Sequence, residues 1–131
     1  MKLLRHAQLA AEEQELVEIR VGYSEAQVLL NATREYFTVR DAGNLILAGG
    51  AISHTMLSDF CYLWVVLVSG QYTFRQRRAG IACAREFILS LPERVFAEVA
   101  LGDRTSAKFI ETLGFIRRKV YDDRTLYEWV N

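Results

Sequence analysis

The chain has 131 residues, enough for one domain of ordinary size, and 51% of them are hydrophobic, enough to bury a core and too many for a disordered chain. Lys plus Arg and Asp plus Glu both number 16, so the formal net charge is zero, which argues against broad nucleic-acid binding by phosphate neutralisation. Cys61 and Cys83 form no C-x-x-C pair, His6 and His54 lie far apart, and no zinc site is expected; both thiols fall in apolar patterns and read as buried and free.

Near the start, Lys2 and Arg5 are followed by acidic Glu12 and Glu13 rather than by the apolar run of a signal peptide, and the longest apolar stretch, Cys61 to Val68, is too short to span a bilayer. A cytoplasmic location is expected, without membrane association. Leu3, Leu4, Ala7, Ala10, Ala11, Leu16, Val17 and Ile19 give a loose helical stripe over residues 2–21, broken at Gly22. Ser24-Glu25-Ala26-Gln27 has the form of a capping box and predicts a second helix to about Tyr36.

From Tyr36 the pattern turns to strands. Phe37–Arg40 and Leu45–Ile52 flank the turn residues Asp41-Ala42-Gly43-Asn44, so a hairpin is predicted. Gly49 and Gly50 inside its second strand mark a bulge or a close backbone approach. Phe60–Val68 is a continuous β-branched and aromatic run, as in a central strand buried on both faces.

Beyond it, Arg77-Arg78-Ala79-Gly80-Ile81-Ala82 opens a helical pattern, Cys83 to Ser90. Small residues at a helix start, where free N–H groups and the helix dipole favour anions, make a cradle for a pyrophosphate, and the two arginines add cations. Pro92 ends this helix. Val95, Ala97, Val99 and Leu101 alternate as a half-buried strand, Asp103 caps a further helix that Gly114 ends, and residues 116–120 and 126–130 close with a hairpin. No repeat or linker interrupts the chain.

The order strand, R-x-x-G-x-A, helix, strand, then a helix ending in Leu113-Gly114-Phe115 resembles the GCN5-related N-acetyltransferases (GNAT family) over roughly residues 36 to 131. The resemblance implies a single α/β (α+β) domain over residues 1–131, a mixed, mostly antiparallel sheet flanked by helices. It implies acetyl-CoA as cosubstrate and transfer of an acetyl group to an amine, on a small molecule or a protein. The strands before and after the phosphate-loop helix then splay to form the cofactor notch. The pyrophosphate would lie on the amides of Arg78, Ala79, Gly80, Ile81 and Ala82 beside Arg77, and the pantetheine arm would pair with Leu67 and Val68. Ser106 and Phe109 complete the implied cofactor-binding set. No metal is implied, and a homodimer stays open.

The sequence departs from the family in the last helix. Asp103, Ser106 and Ile110 stand where the family has Asn, Ala and the tyrosine that often serves as general acid, and isoleucine cannot donate a proton. The stretch from Ser69 to Gln76 is also longer than the family usually has. Catalytic candidates are therefore Tyr121 and Tyr127 for the acid and His54 and Asp59 for the base, with Glu98 as a carboxylate that could equally pair with an arginine of a neighbouring strand. The departure fits a second resemblance, to short phage proteins of the internal-virion type that look like eroded GNATs, carried by Leu63-Trp64, by Phe74 to Arg78 and by the helix ending in Gly114-Phe115. That resemblance implies a catalytically inactive structural or partner-binding protein, in a host cytoplasm or a virion. A third reading is a small α/β module that binds another phosphorylated ligand at the same helix start.

Overall fold

A computed structural model describes residues 1–53, 59–67 and 73–130; His54 and Val68 lie outside the described residues. The element order is β1 (Lys2–His6), α1 (Ala11–Val21), α2 (Tyr23–Ala32), β2 (Thr33–Asp41), β3 (Asn44–Ser53), β4 (Phe60–Leu67), α3 (Phe74–Leu89), β5 (Arg94–Ala100), α4 (Arg104–Leu113), β6 (Phe115–Val120) and β7 (Arg124–Trp129). All seven strands join one sheet in the order β1-β2-β3-β4-β5-β7-β6, antiparallel except for the β4–β5 pair. The expected mixed, mostly antiparallel sheet is borne out.

The sheet separates two cores. On one face Phe37 and Val39 of β2, Cys61 and Leu63 of β4, and Val95, Ala97 and Val99 of β5 pack against Ala84, Phe87 and Ile88 of α3 and Ile110 and Leu113 of α4. On the other, Tyr36 and Val66, with Trp64 beside them, pack against Val17 of α1 and Ala26 of α2. Strand β4 thus sends alternate side chains into both cores, which is why its sequence is apolar without a break. Each large side chain so buried contributes roughly 1.5–3 kcal/mol.

The β2–β3 hairpin forms where expected, with Asp41 opposite Asn44 and both central residues, Ala42 (φ 51°) and Gly43 (φ 86°), left-handed, the twist a two-residue hairpin turn requires. Gly49 and Gly50 mark close approaches. A Cβ on Gly49 would sit 2.4 Å from the Trp64 carbonyl oxygen and 2.6 Å from the Phe37 ring, and one on Gly50 would sit 2.5 Å from Thr33 Cγ2. The expected ends at Asp103 and Gly114 also hold: Asp103 Oδ1 accepts from Ser106 N at 3.1 Å, and Gly114 is left-handed at φ 118°.

The first 36 residues differ from expectation. Residues 2–6 are not helical but form the edge strand β1, antiparallel to β2 from Lys2↔Arg40 to His6↔Tyr36. Helix α1 starts only at Ala11, where the Ala10 amide donates to Glu13 Oε1 at 2.9 Å. Glu13 is buried and also takes Arg40 Nη2 at 2.8 Å. Gly22, not Ser24, caps α2, and the chain is already extended from Thr33 rather than helical to Tyr36.

Candidate active site

Strands β4 and β5 run parallel and pair only at Phe60↔Arg94, Cys61↔Val95 and Tyr62↔Phe96. Beyond this last rung β4 continues to Leu67 and β5 to Ala100, each still paired on its outer side, β4 with β3 and β5 with β7. Between them the sheet opens into a V. Helices α3 and α4 follow the carboxyl ends of these same two strands, the usual position of a ligand crevice in a sheet with parallel strands. On the inner edge of the V, the backbone from Leu63 to Leu67 has no ladder partner among the described residues.

The phosphate cradle is placed differently from expectation. Helix α3 begins at Phe74, not near Gly80. Thr73 caps it: Gln76 N donates to Thr73 Oγ1 at 3.1 Å, and the Gln76 side chain accepts from Thr73 N at 3.0 Å. Arg77, Arg78, Ala79, Gly80, Ile81 and Ala82 therefore lie inside the helix, where their N–H groups serve its own i→i−4 bonds. Gly80 is buried against the sheet, with room for a Cβ at 3.6 Å from Ile46 and 3.7 Å from Leu47, so it does not open the backbone to a ligand. The amides left over belong to the first turn, Phe74 and Arg75. Arg77 and Arg78 remain exposed, Arg78 over the Phe74 ring at 5.8 Å. Gln76 Nε2 donates to Asp41 Oδ2 at 3.0 Å and ties the helix start to the β2–β3 turn. On α4, Ser106 and Phe109 are half-buried, and Phe109 packs against the larger core.

The candidate acid–base residues are dispersed. His54 is outside the described residues. Asp59 is exposed at the amino end of β4, away from the open end of the V, and its carbonyl accepts from Arg94 N at 3.0 Å. Tyr127 pairs with Ala97, level with the start of the opening, but its ring is buried in the core and its hydroxyl bonds Glu111 Oε1 at 3.3 Å. Ile110 is likewise buried in that core.

Tyr121 is the candidate that has company. Its ring carries Arg124 at 4.7 Å and Lys119 at 4.9 Å. Arg124 Nε lies 3.2 Å from Glu98 Oε2, so Glu98 does pair with an arginine of the adjacent strand. These side chains share the sheet face with Tyr62, whose phenol is pushed above its ordinary range by burial first and then by the charge of Glu98 and by Tyr121. Tyr62 is missing from the sequence-based candidates. Its signal was its place in the apolar run of β4, where alternation sets Phe60, Tyr62 and Trp64 on the face opposite Cys61 and Leu63.

Cys61 is buried and free, its thiol pushed up to about 11 by burial and by Glu93; Cys83 is free and half-buried. Among the described residues no group of three or more His, Cys, Asp or Glu could hold a metal ion. No helix among them is long and apolar enough to cross a membrane.

This architecture recurs, over nearly the whole chain, in solved acetyltransferase structures. An acetyltransferase from Bacillus subtilis in complex with CoA superposes with a TM-score of 0.71 at 7% identity, covering 98% of this chain and 97% of that one. The N-acetyltransferase PseH of Campylobacter jejuni, in complex with acetyl coenzyme A, gives 0.66 at 15% identity over 97% and 96%. A GNAT-family protein from Desulfovibrio desulfuricans gives 0.68 at 16% identity over 97% and 98%. The fold is the GNAT fold. No protein-family profile and no curated protein sequence matches the chain. The similar structures lend no support to the phage-virion relation.

Proposed function

We propose that this protein transfers the acetyl group of acetyl-CoA to an amine. The observation that carries the proposal is the V between β4 and β5, in a GNAT fold shared along its length with CoA-bound and acetyl-CoA-bound acetyltransferases. The unpaired edge from Leu63 to Leu67 suits an extended pantetheine arm, which would add to it like a strand through Leu67 and Val68. The phosphate half fits in a modified form. Gly80 faces the sheet, so the phosphates would meet the first-turn amides of α3 and the exposed side chains of Arg77 and Arg78. Ser106 and Phe109 on α4 would border the opposite wall.

When bound, acetyl-CoA supplies an activated acetyl thioester. The chain's share of the work is to hold the amine at the V, to take up its proton and to keep water away. Glu98 is a carboxylate two residues past the last β4–β5 rung, and Tyr62 is a phenol at that rung. These two supersede Asp59 and Tyr127 as groups for proton transfer, with Tyr121 beside them.

Calorimetric titration and thermal shift with acetyl-CoA test the proposal. At a hundredfold excess over Kd, binding stabilises the fold by about 2.7 kcal/mol. Replacing both Arg77 and Arg78 by Ala should weaken binding roughly tenfold or more, since charge-assisted hydrogen bonds contribute about 1.5–3 kcal/mol each. No heat and no shift at millimolar acetyl-CoA would sink the reading and leave a partner-binding GNAT-fold protein.

A further inference from the structure

The first turn of α3 stands clear of the packed core. Of residues 73–78, only Gln76 is not exposed. The buried residues of the helix, Gly80, Ala84, Phe87 and Ile88, all come later. Phe74 is 75% exposed, and its ring carries Arg78 of the same helix at 5.8 Å. Apolar packing therefore fixes the body of α3 on the sheet and leaves the start of the helix to polar contacts.

Among the described residues, one hydrogen bond joins this turn to another element: Gln76 Nε2 donates to Asp41 Oδ2 at 3.0 Å. The oxygen of the same amide is also used, since Gln76 Oε1 accepts from Thr73 N at 3.0 Å in the capping box. The side chain thus reaches from the cap to the sheet with both ends engaged. Asp41 is itself held in place. It closes β2 opposite Asn44. Its neighbour Arg40 bonds Gly43 O across the turn at 2.9 Å and buried Glu13 of α1 at 2.8 Å. Its second oxygen, Oδ1, lies 3.7 Å from the Met1 amino group, which leaves Oδ2 for Gln76.

Resting on the acetyl-transfer reading above, which brings the phosphates of CoA to the first-turn amides of α3, we infer that Asp41 is a positioning residue for cosubstrate binding. It touches no part of CoA. By accepting from Gln76 it holds the Phe74 and Arg75 amides, and with them the exposed Arg77 and Arg78, at a fixed place relative to the sheet. A helix start without this tether frays, and every phosphate contact must then be made at the cost of ordering it. Charge alone would assign Asp41 the reverse effect. A carboxylate beside an anion site repels the ligand, and removing it would also free the Met1 ammonium. As a charge, Asp41 weakens CoA binding; as a tether, it strengthens it. The two roles predict opposite signs for its loss.

The test is calorimetric titration of CoA into the intact protein, Asp41→Ala and Asp41→Asn, with circular dichroism confirming that each variant is folded. Asp41→Ala should weaken binding roughly three- to tenfold, the range that one hydrogen bond supports. Asp41→Asn keeps an oxygen for Gln76 and loses the charge, so it should bind CoA at least as tightly as wild type. Amide exchange gives a second readout without CoA. The Arg77 N–H closes the first bond of α3 onto Thr73 O at 3.1 Å; its exchange should quicken in Asp41→Ala and not in Asp41→Asn. If Asp41→Ala does not fold, Asp41→Ser takes its place, since serine suits the residue before a turn but its hydroxyl stops short of Gln76. Unchanged or tighter binding by the folded Ala or Ser variant overturns the inference, and so does Asp41→Asn binding as weakly as Asp41→Ala. CoA binding by wild type that is unmoved by Asp41→Ala defeats only the positioning role. No binding of CoA by wild type defeats the acetyl-transfer reading, and the positioning role with it.

Discussion

The ring of Phe37 lies stacked on the ring of Phe87, with centroids 4.3 Å apart, and this contact joins β2 to α3 through the larger core. It stands directly against Gly49, where an added Cβ would lie 2.6 Å from the Phe37 ring and 2.4 Å from the Trp64 carbonyl. Gly49→Ala cannot be absorbed by a flexible side chain, because one of the clashing atoms is backbone. The expected loss is about 1–3 kcal/mol, read as a lower midpoint in urea.

Gly80→Ala should act in the opposite direction. Gly80 sits mid-helix, with its nearest neighbours at ordinary contact distance, 3.6 and 3.7 Å. Alanine removes the entropic cost of a helical glycine and should stabilise by about 0.5–1 kcal/mol. It should also leave acetyl-CoA affinity unchanged, because the position faces the sheet. A large loss of affinity in a folded Gly80→Ala protein would show that the phosphates approach this residue after all.

Ala42 holds φ 51° at the tip of the β2–β3 hairpin, a conformation that costs a residue with a Cβ roughly 1–2 kcal/mol. Ala42→Asn or Ala42→Gly fits that turn better, and either should raise the melting temperature. An unchanged or lower midpoint for both would mean that the turn is not formed as described.

Glu93 bonds Arg34 through both oxygens, the longer contact being 3.2 Å from Nη2 to Oε2. That bond holds the Glu93 carboxyl below its ordinary value of 4.5, against the opposing effect of burial. A lowered folded value means stability that is present above about pH 4.5 and lost as pH falls through the lowered value. The difference in melting temperature between wild type and Glu93→Gln should therefore be widest at neutral pH and close below pH 4.5. Arg34 is partly exposed, so the contribution is modest, about 1 kcal/mol or less. A constant gap from pH 7 to pH 3 would count against the pairing.

Ile110→Tyr would place a phenol where the family pattern that the sequence resembles has one. Ile110 is 7% exposed in the core with Leu113. The larger ring should cost about 1–3 kcal/mol. Thiol release from acetyl-CoA should not rise, since Tyr62 and Tyr121 already supply phenols on the other face. A tenfold gain in rate would instead make this position the missing acid.

The strands and the last two helices were legible where local chemistry and burial agree. Asp41-Ala42-Gly43-Asn44 could only turn, β4 is apolar because both its faces are covered, and Asp103 and Gly114 bound α4 through their own side chain and dihedral. Strand β1 was illegible because Leu3 and Leu4 are adjacent: an edge strand with contacts on both faces shows no alternation, and Ala7 and Ala10 extended a false helical stripe. The start of α3 is hidden for a different reason. The small residues around Gly80 have the look of a phosphate loop, while the helix begins at the Thr73-Phe74-Arg75-Gln76 capping box one turn earlier. Gly80 is small because it lies on Ile46 and Leu47, a long-range cause that no local window contains.

The three rungs between β4 and β5 have a mechanical meaning. On one side, β1 to β4 form an antiparallel ribbon; on the other, β5, β7 and β6 form a second. Among the described residues the two ribbons share backbone bonds only near Phe60–Tyr62 and Arg94–Phe96, at one end of the seam. That end ties the two ribbons and the other end is open, bridged across the seam by side chains: those of α3 and α4 on one face and the Phe60, Tyr62 and Phe96 rings on the other. An occupant wedged into the open end would load these side-chain contacts rather than any backbone bond within a ribbon, and amide exchange in Val95 and Phe96, beside the three rungs, should report occupancy from a distance.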